Sequence, residues 1–257
     1  MLSIEERERA ERGRSAHDAA PASGSLFMSD ETVARYLSPP ENTTHPLEYT
    51  FHLLGDVKGK TILDYGCGDG SNTVMLSRRG AKVIGVDLSP ELLRLAKQRV
   101  AANRCNEAML VLGSAHALPL RDESVDVVFG IGILHHLDLE LASREVQRVL
   151  KRGGRGIFKE PVRNSKIMAR MSRLLPTRAD VSQFEGPLTD QQIRNFTASC
   201  KYRGRTFHLL LSRLTTRFPV LRSSLLTPCE KIDDLLLRLF PSLTYYGSVR
   251  VFEIAKC

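Results

Sequence analysis

Two short apolar runs, each ending in an aspartate and joined through a glycine-rich turn and a helix-length segment, constrain this chain most. Thr61-Ile62-Leu63-Asp64 enters a loop with Gly66, Gly68 and Gly70, and Val83-Ile84-Gly85-Val86 closes on Asp87. The order reads as strand, glycine turn, helix, strand. Glycine lets a ligand approach the backbone because no side chain blocks it. Asp87, 19 residues after Gly68, is placed to accept hydrogen bonds from a ribose diol. The pattern predicts a parallel sheet built around an adenosine-type ligand.

The turn is G-x-G-x-G, whereas the dinucleotide fingerprint that seats a pyrophosphate is G-x-G-x-x-G. Asp64, two residues before the first glycine, would repel a pyrophosphate and suits a cationic amine. The string Leu63-Asp64-Tyr65-Gly66-Cys67-Gly68-Asp69-Gly70 resembles motif I of class I S-adenosylmethionine-dependent methyltransferases. Further stretches agree in order and spacing: Val86 to Pro90, Gly113 to Leu120, Ser124 to Phe129, Ile133 to Leu137, and Val149 to Gly156. Together they cover about residues 45–161 and are similar to the small-molecule, ubiquinone-biosynthesis-like branch of that family.

The resemblance implies an α/β fold: a Rossmann-like, doubly wound, mostly parallel seven-stranded sheet with an antiparallel last strand, plus helical lid insertions. It implies S-adenosylmethionine as cofactor and S-adenosylhomocysteine as product. Asp64 and the backbone of Gly66, Cys67 and Gly68 would serve the methionine end. Asp87 would hold the ribose, Leu88 would pack on the adenine, and Ser114-Ala115 would flank it. Gly130 would lie beside the methionine portion. Members often carry an acidic residue where Ser114 stands, to accept from the adenine amino group; a serine hydroxyl can also accept.

With 257 residues, 42% hydrophobic and 26% charged, the chain suits one large soluble domain with additions. Its expected organisation is an N-terminal tail and helical lid (1–55), a cofactor-binding core (56–161) and a C-terminal part with substrate-cover insertions and final strands (162–257). No apolar run approaches the roughly 18 residues of a membrane span, and residues 1–14 lack the apolar stretch of a secretory signal. Five scattered cysteines without C-x-x-C spacing suit a reducing cytoplasm and argue against a metal site. Residues 1–150 carry 17 Lys and Arg against 21 Asp and Glu, a net −4; residues 151–257 carry 20 against 8, a net +12. The basic half suits an acidic small molecule, an anionic membrane surface or nucleic acid, or is simply a solvated surface.

Along the chain, residues 3–14 suit a solvated helix or frayed tail and 15–25 a flexible segment. Ser29 caps a helix through Leu37, and Pro46 to Leu54 forms another. Tyr36, His45 and Tyr49 are candidates for a lid, with ordinary packing as the plainer reading. Strands are expected near 61–65, 83–87, 109–113, 125–130, 155–160, 206–211 and 248–254. Helices are expected near 70–79, 90–103, 139–150, 165–175, from 188, and over 230–240. Residues 177–187 read as a loop. The leucines and arginines of 205–226 suit a helix packed on its own protein, or a peripheral membrane contact.

The reaction implied is methyl transfer, in which a protein mainly aligns the partners and removes a proton where one must leave. His135 and His136 follow the fourth strand and are candidate bases; which faces inward is open. Glu160, closing the fifth strand, is a further candidate base or ligand, or a local capping partner. His116 reads as structural or solvent-facing. The favoured acceptor is a small hydrophobic or aromatic metabolite, methylated on oxygen, with nitrogen or carbon as alternatives. RNA methylation is the second reading, without a recognisable RNA-binding module. A non-catalytic cofactor-binding protein is the third.

Overall fold

Ile62 and Leu63 are neighbours in sequence, yet they belong to opposite cores. The computed structural model describes residues 4–19, 25–165, 186–209, 211–212 and 219–256. Its seven strands are β1 (Thr61–Tyr65), β2 (Lys82–Asp87), β3 (Met109–Leu112), β4 (Val125–Ile131), β5 (Leu150–Pro161), β6 (Cys200–Phe207) and β7 (Val249–Lys256). They form one sheet in the order β3-β2-β1-β4-β5-β7-β6. β7 runs antiparallel to β5 and β6, and the other strands are parallel to one another.

Side chains alternate across a strand, so each central strand feeds both faces. Ile62, Val127, Phe129, Ile157 and Val251 meet α3 (Pro46–Leu54) and α4 (Ser71–Arg78). Leu63, Val128, Phe158 and Phe252 meet α6 (Leu139–Val149) and α7 (Asp190–Phe196). The helix α5 (Pro90–Ala102) packs beside α4 on the first face. Its cap is Ser89, whose hydroxyl accepts from Leu92 N. Gly70, at φ +79, brings α4 against α5: a Cβ there would lie 2.9 Å from Ala96 Cβ and 3.0 Å from its Cα. Gly70→Ala is therefore expected to cost about 2–4 kcal/mol, from left-handed strain plus a clash with backbone. An unchanged urea midpoint would refute that expectation.

Ser29 caps α2 (Asp30–Leu37), and Thr189 with Gln192 forms a capping box on α7, as the sequence implies. Four boundaries differ from expectation. Helix α1 (Ile4–Ala19) runs on into the alanine-containing stretch read as flexible. β5 begins at Leu150, five residues early. The sixth strand is 200–207, not 206–211; it is an edge strand whose Lys201, Arg203 and Arg205 hide its strand character while discouraging edge pairing. The helix expected over 230–240 is the end of α8 (Pro219–Leu239). The helix expected over 165–175 and most of the loop expected over 177–187 lie outside the described residues, as do Arg213 and Arg217.

Candidate active site

The sheet order reverses between β1 and β4, and ligands of open α/β sheets bind beyond the carboxyl ends of the strands at such a point. There Gly66, Val86, Asp87, Leu88, Gly113, Ala115, His116, Ile133, His136 and Leu137 line a cavity of about 80 Å³. Two further walls come from α1: Glu8 and Glu11.

Asp87 Oδ2 accepts from Gly68 N at 2.8 Å and Oδ1 from Ser89 N at 2.9 Å. The carboxylate is thus aimed by the backbone of both the glycine loop and the turn into α5. Burial raises its pKa, those backbone donors pull the other way, and nearby Glu11 raises it further. The amides of Gly66 and Cys67 both reach Val86 O, at 2.9 and 3.0 Å. With Gly68 N on Asp87, all three loop amides are used inside the protein. What the loop offers a ligand is its side-chain-free surface. Gly66 (φ +74) also has Ile133 Cδ1 2.7 Å from where a Cβ would be. The Cys67 side chain turns inward against Gly85, and burial pushes its thiol up. Gly130 lies under Phe158 and Ile133.

Asp64 is 1% exposed and takes the Thr73 hydroxyl at 2.6 Å. Burial, helped by Asp87 and Asp69 and opposed by Thr73, lifts its carboxyl from 3.8 to about 7. A carboxyl raised by folding favours the fold below its unfolded value and loses that contribution as pH rises from about 3.8 through about 7. Asp64→Asn is therefore expected to raise the Tm of the ligand-free protein more at pH 8 than at pH 5. The scale is about 2–4 °C per kcal/mol for a domain of this size. Equal shifts at both pH values would remove this titration from Asp64.

The loop after β3 is held by Tyr65, whose hydroxyl donates to Ala115 O at 2.7 Å. Ser114 Oγ accepts from His116 N at 3.0 Å and donates to Glu8 Oε1. His116 Nε2 accepts from Asp138 N at 2.9 Å, so Nδ1 carries the proton and donates to Glu8 Oε1 at 3.0 Å. Its side chain is 6% exposed.

His135 and His136 occupy a 3₁₀ turn, their ring centroids 4.0 Å apart. His136 lines the cavity and its Nδ1 lies 3.4 Å from Glu11 Oε2. His135 instead reaches Glu160 Oε2 at 2.8 Å through Nδ1. Glu160 is fully buried, and its Oε1 also accepts from Ile133 N and Leu134 N at 2.9 and 2.8 Å. It therefore fastens the whole turn to β5.

The lid candidates lie elsewhere. Tyr36 packs on Phe51 and Tyr49 on Phe207, both within the α3 side of the core. His45 Nδ1 pairs with Glu230 at 2.7 Å, and His208 holds the same carboxylate at 3.0 Å. The helix over the cavity is α1. Its Glu8 and Glu11 gave no signal in a segment whose charges read as solvent-facing, and His116 belongs to the same wall. Among the described residues, no three His, Cys, Asp or Glu side chains cluster as metal ligands, and no helix is long and apolar enough to cross a membrane.

This strand order, with an acidic β2 end facing a glycine loop, defines the fold of class I methyltransferases. Residues 63–158 match the family model described as a methyltransferase domain. Demethylmenaquinone methyltransferase of Lactococcus lactis is 38% identical over 110 residues, covering 41% of this chain and 44% of that protein. YcgJ of Bacillus subtilis superposes with a TM-score of 0.61 at 18% identity, covering 83% of this chain and 99% of the other. Geranyl diphosphate C-methyltransferase of Streptomyces coelicolor A3(2), solved with S-adenosyl-L-homocysteine, gives 0.56 at 21%, covering 88% and 82%. The two structural likenesses speak for the fold, and the chain spans less than half of the Lactococcus protein. Residues 63–158 thus match a methyltransferase domain, and they do so on the class I S-adenosylmethionine-dependent methyltransferase fold. S-adenosylmethionine is the cofactor of such methyltransferases, and the backbone-aimed Asp87, the glycine loop and the Leu88 and Ala115 lining of the cavity fit it.

Proposed function

We propose that this chain transfers a methyl group from S-adenosylmethionine to a small hydrophobic or aromatic acceptor, with oxygen as the preferred acceptor atom. The observation that carries the reading is Asp87, fixed by two backbone amides at the wall of an otherwise largely apolar cavity. Asp87 would take the ribose hydroxyls, Leu88 and Ala115 the adenine faces, and the buried Asp64 the cationic methionine end. When bound, the cofactor supplies an electrophilic methyl on sulfonium. His135 is assigned as the base: Glu160 accepts only, so the His135 proton sits on Nδ1 and Nε2 keeps a lone pair for the acceptor's proton. His136 serves as cavity wall.

A small acceptor is supported by the name of the Lactococcus relative, a demethylmenaquinone methyltransferase, and by the geranyl diphosphate enzyme of like fold. RNA methylation has the +12 of residues 151–257 in its favour. The net charge stands, but four of the arginines behind it are engaged within the fold: Arg155 and Arg203 pair with Glu253, Arg205 with Asp234 and Arg250 with Asp190. The test is calorimetry with S-adenosylmethionine and S-adenosylhomocysteine, followed by a metabolite screen with labelled methyl groups. Micromolar binding and label transfer to a metabolite are expected. Absence of binding in a folded sample counts against the reading; salt-sensitive RNA binding with label in RNA favours the second.

A further inference from the structure

The loop after β3 lines the cavity with Gly113, Ala115 and His116, and the serine among them, Ser114, is already engaged. Its one hydroxyl proton goes to Glu8, and it also accepts from His116 N. The adjoining carbonyl of Ala115 is held by the Tyr65 hydroxyl. The protein nonetheless brings a carboxylate to this place, from 106 residues earlier in the chain. Glu8 Oε1 receives two donors, Ser114 Oγ and His116 Nδ1. The His116 tautomer that makes the second bond is fixed from behind by Asp138 N. Glu8 is itself a cavity wall, and its side chain is 17% exposed. No bond of Oε2 is among those described.

We infer that Glu8 of α1 is the acceptor for the exocyclic amino group of the cofactor's adenine, so that the N-terminal helix selects adenine and does more than cover it. Three residues build the acceptor: Ser114 and His116 orient the carboxylate and saturate one oxygen, which leaves the other for a ligand N–H. Helix α1 is charged along most of its described length, with Ile4 38% exposed, so apolar burial contributes little to its docking. A ligand donor on Glu8 would add to what holds the helix down. Adenine binding and helix docking are then mutually reinforcing. This inference rests on the cofactor reading above.

The test compares the affinities of S-adenosylhomocysteine and S-inosylhomocysteine by calorimetry. The inosyl compound presents a carbonyl oxygen where adenine presents N–H, and that oxygen would face the Glu8 carboxylate. Hydrogen bonds to charged groups contribute about 1.5–3 kcal/mol, so the wild-type protein should prefer the adenosyl ligand by about 10- to 150-fold. In Glu8→Ala the preference should fall to about threefold or less. In Glu8→Gln it should also shrink, because the amide can turn its NH₂ toward the oxo group. A wild-type preference that both variants keep overturns the inference, even if both ligands bind them more weakly, because Glu8 would then only dock the helix. Equal wild-type affinities overturn it too. Failure of the wild-type protein to bind either ligand overturns the cofactor reading together with it. Circular dichroism checks the fold of each variant.

Discussion

Replacing His135 by alanine is expected to lower kcat by about 10²- to 10⁴-fold, the usual contribution of a positioned base. Affinity for S-adenosylhomocysteine should change little, because His135 is not among the residues that line the cavity at the strand ends. The reason lies in Glu160. It sits at full burial and takes the Ile133 and Leu134 amides with one oxygen and His135 Nδ1 with the other. Glu160→Gln can keep an acceptor for the two amides but sets an NH₂ against Nδ1. The ring would then turn to the other tautomer, and kcat should fall with little loss of cofactor affinity. His136→Ala should show the opposite balance, weakening cofactor binding more than turnover. These rates are read with any acceptor the labelled-methyl screen yields. Wild-type kcat in His135→Ala would end the assignment of a histidine base.

Asp87→Ala should weaken S-adenosylhomocysteine binding by about 10- to 150-fold, from loss of charge-assisted hydrogen bonds of about 1.5–3 kcal/mol. Two effects add here. The ribose acceptor disappears, and Gly68 N and Ser89 N lose the group that ties the glycine loop to the start of α5. Asp87→Asn keeps one acceptor oxygen and should be milder. Calorimetry on the three proteins reads this directly; equal affinity in Asp87→Ala would mean that the ribose lies elsewhere.

The core was legible because local signals and tertiary structure agree there. Thr61–Tyr65 is a strand, the residue before Pro90 is a capping serine, and the two aspartates fall at strand ends. Such elements follow from periodicity and caps over a few residues. The cavity's outer wall was not legible, for a physical reason. Helix α1 has no apolar stripe, and Glu8 acquires its partners from residues more than a hundred positions away. Tyr36 and Tyr49 drew notice as aromatic residues near the expected lid, yet aromatic side chains bury much area, and here Tyr49 is buried in the core with Tyr36 packed, partly buried, against it. β6 was misplaced because this edge strand is exposed over Lys201–Gly204 and buries only Thr206 and Phe207 at its end, so its apolar signal marks the end of the strand rather than its start.

Arg79 closes α4 and reaches back to three main-chain oxygens: Tyr36 O at 2.9 Å, Phe51 O at 2.8 Å and Gly55 O at 2.6 Å. These carbonyls belong to the last turns of α2 and α3 and to the residue just beyond α3. The negative ends of two helix dipoles therefore converge on one cation. Arg155 of β5 holds the neighbouring carbonyls of Leu53 and Leu54, so residues 30–55 are clasped by arginines at their helix ends and should behave as one cooperative opening unit in hydrogen exchange rather than as two independently fraying helices. Such a unit is a fixed flank, tied to α4 through Arg79 and to β5 through Arg155, whereas the cavity takes its outer walls, Glu8 and Glu11, from the helix that precedes it.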